Sequence, residues 1–387
     1  NEILAEKLLA ARPDLLVMRE PILRRPAVIS YAKINVAQDW LYYSDPKNVI
    51  YSNENLGRVA RDYPKMVAST MPQFLLKPGM AAPFGGMPTV DMFREACFLV
   101  ASRPARITTF WNFPAILVKK KNYMTPDQVE KKLGGALKWN ETKQVIKEKK
   151  LNIYAWDPEL AGAFSEMSRK LWLPMGALMP KWRNVPRRIA VINSFASVLF
   201  GDERWPGISP MYRQLVNSGI PFDVLVDQDF ECPLKQKYDV IMFPDCHAMI
   251  KPAYAVLCKF IADGGTVLVD DKCKVDLPGA VKLTMNTKTV DSNIQEKEAV
   301  LLKKYHGRTE HPQYIEAMES LVQQKMAAGE NSNLAEILKT KLKLPVECKT
   351  KAICWNMLQA NGTQYLFIVN DLRVPGPFYG RYGKVRE

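Results

Sequence analysis

A chain of 387 residues with 47% hydrophobic and 24% charged residues is long enough for two or three globular domains, each with a sizeable core. No run approaches the roughly 20 apolar residues of a membrane helix, and the N-terminus lacks the basic-then-apolar layout of a secretory signal. A formal charge of +14 suits a polyanion, yet Lys119, Lys120, Lys121, Lys147, Lys149, Lys150, Lys339, Lys341 and Lys343 are mixed with acids as on solvated helix faces. With no zinc-finger spacing, aromatic-basic RNA-binding signature or basic heptad region, a nucleic-acid partner is not favoured.

In chain order, Asn1 to Ala11 reads as a helix closed by Arg12-Pro13, and Ala27 to Val36 as an extended apolar run. A helix is expected from Glu54 to Arg61, a strand from Lys65 to Met71, a Thr89-capped amphipathic helix to about Ser102, and a strand from Arg106 to Trp111. This alternation points to a parallel sheet or barrel. Glu54 and Glu95, on helices, read as surface charges.

Residues 125–172 read as mostly helical, opened by Thr125-Pro126-Asp127-Gln128 and again near Asp157-Pro158. Leu173 to Pro186, with Pro174, Gly176, Pro180 and Pro186, reads as a linker. The run Arg188-Ile189-Ala190-Val191-Ile192 then suits a strand buried on both faces. After it come a helix at Met211 to Ser218, strands at Phe222 to Val226 and Asp239 to Phe243, a helix at Ala253 to Ala262, and a strand at Thr266 to Val269 launched by Gly264-Gly265. Helices follow from Ile294 to Leu342, and Ala352 to Leu358 with Gln364 to Val369 reads as a hairpin turned by Asn361-Gly362.

The stretch Tyr238 to Asp245, a helix, and then Asp263 to Asp270 resembles the amidotransferase-like trimerisation domain that follows the barrel in family 42 beta-galactosidases. The helix Ser209 to Ser218 with Gly219 to Val224 fits the same domain. On that anchor the N-terminal part resembles the last third of a glycoside hydrolase (β/α) barrel: Ala27 to Tyr43 as the sixth strand and its loop, Lys65 to Gly79 as the seventh, Arg106 to Phe113 as the eighth. The motifs are Asp39 to Tyr43, Met71 to Gly79 and Thr109-Phe110-Trp111. The fold class implied is α/β: the C-terminal part of a (β/α) barrel, then a flavodoxin-like, class I glutamine amidotransferase-like domain, then the start of a β domain. The boundaries are residues 1–120, a helical connector and linker at 121–186, the second domain at 187–345 and the hairpin at 346–387. The resemblance further implies that strands one to five and the general acid lie outside this chain, which is then a fragment or one piece of a larger protein. It also implies a homo-oligomer or a place in a larger chain, and a secreted or periplasmic location.

In such barrels the chemistry sits at the carboxyl ends of the strands. There the resemblance places substrate-binding Asp39, Trp40, Gln73 and Trp111: Trp faces stack on sugar rings and a carboxylate orients hydroxyls. Gln73 stands where the family pattern has its nucleophilic Glu, and an amide cannot form the glycosyl ester of a retaining enzyme. The alternatives are a shifted motif, a carboxylate from elsewhere, or a barrel end that binds sugar without cleaving it, so the catalytic residues stay unassigned. The leading expectation is a glycoside-hydrolase-like protein acting on or binding a poly- or oligosaccharide, with an acidic polysaccharide among the candidates. An inactive structural or carbohydrate-binding protein is the alternative.

Cys246-His247 invites a Cys-His nucleophile. In class I glutamine amidotransferases, however, the nucleophile occupies the position held here by Asp270-Asp271, and Cys273 arrives too late for the elbow. His247, His306 and His311 form no ligand-spaced cluster, and Gly85-Gly86 and Gly134-Gly135 lack a phosphate-loop context, so neither metal nor cofactor is expected. The seven cysteines, an odd total without a C-x-x-C pair, read as reduced thiols, with Cys97 and Cys258 buried; a disulfide or two is the alternative, and the redox compartment stays open.

Overall fold

The computed structural model describes residues 2–15, 17–19, 36–42, 50, 54, 56–58, 61, 67–73, 90–110, 158–201, 210–234, 236–283, 296–297, 299–301, 303–304, 317, 320, 334–346 and 353–370. These form a mixed α/β protein with two parallel sheets and a small antiparallel one.

Helix α1 (Glu2–Ala11) precedes strand β1 (Met18–Arg19), which pairs in parallel with β2 (Val36–Tyr42). Helical residues at 54, 56–58 and 61 come before β3 (Val67–Gln73), and α2 (Val90–Ala101) leads to β4 (Ile107–Thr108). The four strands lie in the order β1-β2-β3-β4, all parallel. Each new strand adds beside the last. The expected strands are present with shifted bounds: Lys65 to Met71 becomes Val67–Gln73 and Arg106 to Trp111 contracts to Ile107–Thr108, while residues 27–35 lie outside the described residues. The core side of α2 carries Phe93, Ala96, Cys97 and Ala101 against Ala163, Met167 and Leu171.

Those last residues belong to α3 (Pro158–Met167) and to the π-helical turn Ser168–Trp172 that continues it. Pro174, one turn on, has no N–H to give back to the helix, and the widened turn lies directly before it. The segment expected as a linker contains further structure. Trp182 is fully buried, packed edge-on to Phe367 with centroids 5.1 Å apart, and β5 (Arg183–Asn184) pairs with a strand near the C-terminal end of the described chain.

The second parallel sheet contains β6 (Ile189–Asn193), β7 (Asp223–Val226), β8 (Val240–Phe243), β9 (Thr266–Asp270) and β10 (Val281–Leu283), in the order β10-β9-β8-β6-β7. β6 to β9 are buried at every position, as a sheet covered on both faces requires. The order reverses between β6 and β8, the doubly wound arrangement of flavodoxin-like folds. Helices α4 (Phe195–Phe200), α5 (Pro210–Asn217) and α6 (Lys251–Ala262) connect these strands. Gly264 (φ 92°) ends α6, and a Cβ on Gly265 would come within 2.4 Å of the Phe260 ring, so both glycines are required. β10 and α4 were not anticipated. Cys97 is buried as expected, whereas Cys258, on α6, is only half-buried.

Helix α7 (Leu334–Lys341) packs Leu334 and Leu338 into the core beneath this sheet. The chain then forms the hairpin β11 (Ile353–Ala360) and β12 (Thr363–Asn370), turned by Asn361 and Gly362 at φ 52° and 79°. Two successive positive φ values are what a type I′ turn needs and what Asn-Gly supplies. β11 lies between β12 and β5.

Candidate functional site

Among the described residues, three places concentrate polar side chains. The first is the four-stranded parallel sheet. Gln38, on β2, is fully buried and donates through Nε2 to Ser69 Oγ at 2.9 Å and to Thr109 Oγ1 at 2.8 Å. Polar groups in the middle of a parallel sheet cost free energy unless bonded, so this layer holds β2, β3 and the end of β4 together. The register sets Gln38 opposite Ser69, Asp39 opposite Thr70, Trp40 opposite Met71 and Tyr42 opposite Gln73. With a period of two, Trp40 and Gln73 fall in phase with Gln38 and Ser69. Asp39 falls in the alternate phase with Thr70. Gln73 is the last residue of β3 and Trp40 lies in the carboxyl half of β2, whereas Asp39 stands at the middle of β2 and in the other phase, so it is not at a strand end as expected; Trp111 lies outside the described residues.

The second place is a buried charge network. Glu54, 1% exposed, is not a surface charge: its carboxylate accepts from Arg103 Nε at 3.1 Å and from both Nη atoms of Arg187. Arg187 also donates to the Phe222 carbonyl and, at 2.9 Å, to Asn356 Oδ1, and lies 3.5 Å from Asp223. Asn356 returns a bond to the Ser102 carbonyl at 2.6 Å. Asp223 accepts from Tyr238 at 3.1 Å and pairs with Arg61 at 3.2 Å. Burial holds the Asp223 carboxyl above its ordinary range, against the opposing pull of Arg187 and Arg61. One cluster thus joins the helical segment at Glu54, the second parallel sheet and the hairpin. The cavity beside it, lined in part by Glu54, Arg103, Phe222 and Trp355, measures about 10 Å³, room for a single water. The hydrogen bonds of this network span 15 to 254 positions in sequence, and no local pattern marks them.

The third place is the reversal point between β6 and β8, where doubly wound folds bind ligands. Here the chain occupies its own crevice. Asp227 accepts from the Phe195 and Ala196 N–H groups at 2.8 and 3.1 Å, so a carboxylate of the chain sits where an anion would dock at the start of α4. Ser197 Oγ donates to the Ala248 carbonyl and accepts from the His247 N–H, tying α4 to the loop after β8. Asp245 has φ 50°, and its N–H donates to Asp270 at 2.9 Å. Burial raises the Asp270 carboxyl above its ordinary range. Asp270 is therefore a buried acid serving as a hydrogen-bond acceptor. Among the described residues no group of three or more His, Cys, Asp or Glu could hold a metal ion, and no helix is long and apolar enough to cross a membrane.

No family model and no curated protein matches this sequence. Among solved structures the chain is similar to the beta-galactosidase from Bacillus circulans sp. alkalophilus, at 13% identity over 70% of this chain and 38% of that one, with a TM-score of 0.45. It is similar to the beta-galactosidase from Rahnella sp. R3 at 14% identity over 61% and 32%, with a TM-score of 0.37. It is also similar to the exo-carrageenase GH42 from Bacteroides ovatus at 11% identity over 84% and 37%, with a TM-score of 0.38. The chain thus spans 32 to 38% of the length of these structures.

Proposed function

We propose that this chain is part of a glycoside-hydrolase-like protein that binds carbohydrate at the carboxyl ends of β2 and β3 without cleaving it. On this reading residues 1–120 are a partial (β/α) barrel, 121–186 a connector, 187–345 an amidotransferase-like domain that braces the barrel, and 346–387 the start of a β domain. The observation that carries it is Gln73 at the last position of β3, in phase with the buried Gln38 and Ser69 layer and with Trp40. A retaining glycosidase needs a carboxylate where the motif resemblance places Gln73, whereas an amide there can orient sugar hydroxyls. Trp40 supplies the stacking platform. The self-occupied crevice between β6 and β8 supports a bracing role for the second sheet. The net charge of +14 places an acidic polysaccharide among the candidate ligands.

The test is titration calorimetry of the full chain with neutral galacto-oligosaccharides and with polygalacturonate at low and high salt, alongside a reducing-end assay. Saturable binding without release of reducing ends is expected, weakened about tenfold by Trp40→Ala, the loss of one stacking contact. Release of reducing ends above the buffer rate overturns the non-cleaving reading, and absence of binding to every sugar overturns the carbohydrate reading.

A further inference from the structure

The loops that follow β8 and β9 each carry a cysteine. Because β8 and β9 are adjacent and parallel, with Phe243 opposite Val269, the two loops leave the sheet side by side. The Lys274 N–H donates to the Cys246 carbonyl at 2.9 Å, tying one cysteine's backbone to the residue after the other. Both side chains belong to one apolar cluster, with Cys246 fully buried and Cys273 packed against it and partly open to solvent. The Cys273 N–H donates to the Asp270 carbonyl at 3.2 Å, and its thiol to the Val275 carbonyl at 3.3 Å, so its orientation is set.

The two thiols are unequal. Their mutual hydrogen bond pushes Cys246 up, and burial adds to the effect. The same bond pulls Cys273 down to about 7. An accessible low-pKa thiol beside a buried partner is the arrangement of an attacking and a resolving sulfur.

We propose that Cys246 and Cys273 form a reversible intrachain disulfide by exchange with a low-molecular-weight disulfide, Cys273 attacking and Cys246 resolving. The Cys273 thiolate bonds to one sulfur of RSSR, the S–S bond breaks and RS⁻ leaves. Cys246 then gives up its proton and attacks the Cys273 sulfur, expelling the second RS⁻. Two protein thiols are oxidised, and RSSR is reduced to two RSH once the leaving thiolates take up the protons. The bridge clamps the carboxyl ends of β8 and β9 and closes the chain around α6.

The test uses the full chain, reduced, desalted and exposed to graded oxidised glutathione, then unfolded, alkylated and mapped by mass spectrometry. Cys246 and Cys273 are expected to lose alkylation together, to appear in one linked peptide and to recover with dithiothreitol. The oxidised chain should melt a few degrees higher. Cys246→Ser should leave Cys273 carrying glutathione, and Cys273→Ser should leave Cys246 unmodified. Exposed Cys232 is the internal control and should gain only a mixed disulfide. A lasting glutathione adduct on wild-type Cys273 with Cys246 still alkylated overturns the proposal, as does a linked peptide joining either cysteine to a different one. Because the wild-type map alone decides between these outcomes, the proposal stays testable even if a variant fails to fold.

Discussion

Replacing Arg187 by methionine removes the cation shared by the helical segment at Glu54, the second parallel sheet and the hairpin. The substitution withdraws two bonds from the Glu54 carboxylate, one from the Phe222 carbonyl and one from Asn356 Oδ1, leaving Arg103 to face Glu54. Glu54 is 1% exposed and the cavity beside it has room for one water, so bulk water does not replace what is lost. At about 1 kcal/mol for each neutral acceptor and about 2 for each carboxylate bond, the lost bonds total about 6 kcal/mol. Relief of the desolvation of Arg187 returns part of this, leaving a net destabilisation of about 3–5 kcal/mol. Urea unfolding followed by tryptophan fluorescence measures it, since Trp182 and Trp355 pack in the region the network joins. A cycle with Glu54→Gln isolates the pair and should give a coupling of about 2 kcal/mol. A loss below about 1 kcal/mol for Arg187→Met, or additive single and double variants, would refute the view that this cluster locks the three parts together.

Gly265→Ala should destabilise by about 1–3 kcal/mol, because its Cβ meets at 2.4 Å the Phe260 ring, which packs against the core; the midpoint of chemical unfolding reads this, and an unchanged midpoint contradicts the geometry. Asp270 makes pH dependence a second test. Its carboxyl is raised in the folded chain, so the folded state holds a proton that the unfolded chain has lost, and the resulting stability is complete below about pH 4 and lost as pH rises toward the raised value. The stability of wild type relative to Asp270→Asn should therefore fall with rising pH across that window; parallel curves in urea titrations would show that burial does not govern this carboxyl.

What could be read along the chain is local. Ile189–Asn193, Val240–Phe243 and Thr266–Asp270 are contiguous apolar runs bounded by helix signals, and such runs have few ways to be buried other than as inner strands. Asn361-Gly362 and Gly264 announce their turns because few other residues accept those φ values. Trp40 and Gln73 are placed by the resemblance and not by local pattern, Trp40 lies within β2 and not in a loop after it, and the phase that separates Asp39 from them appears only in the register of β2 against β3. Partner choice at long range was not legible. The same strand-helix alternation winds one way in β1 to β4 and reverses in β6 to β10, a difference of strand order that periodicity does not encode. Glu54 sits on a helix that would carry a surface acid equally well, and Arg103 and Arg187 make it a core residue. Cys246 and Cys273 look unrelated in sequence and meet because adjacent parallel strands bring their loops together. Secondary structure and turns follow from side-chain shape and local backbone preference, which the sequence carries by itself. Only the tertiary structure decided which buried charges, thiols and strand ends face one another, because those contacts depend on how separate elements pack.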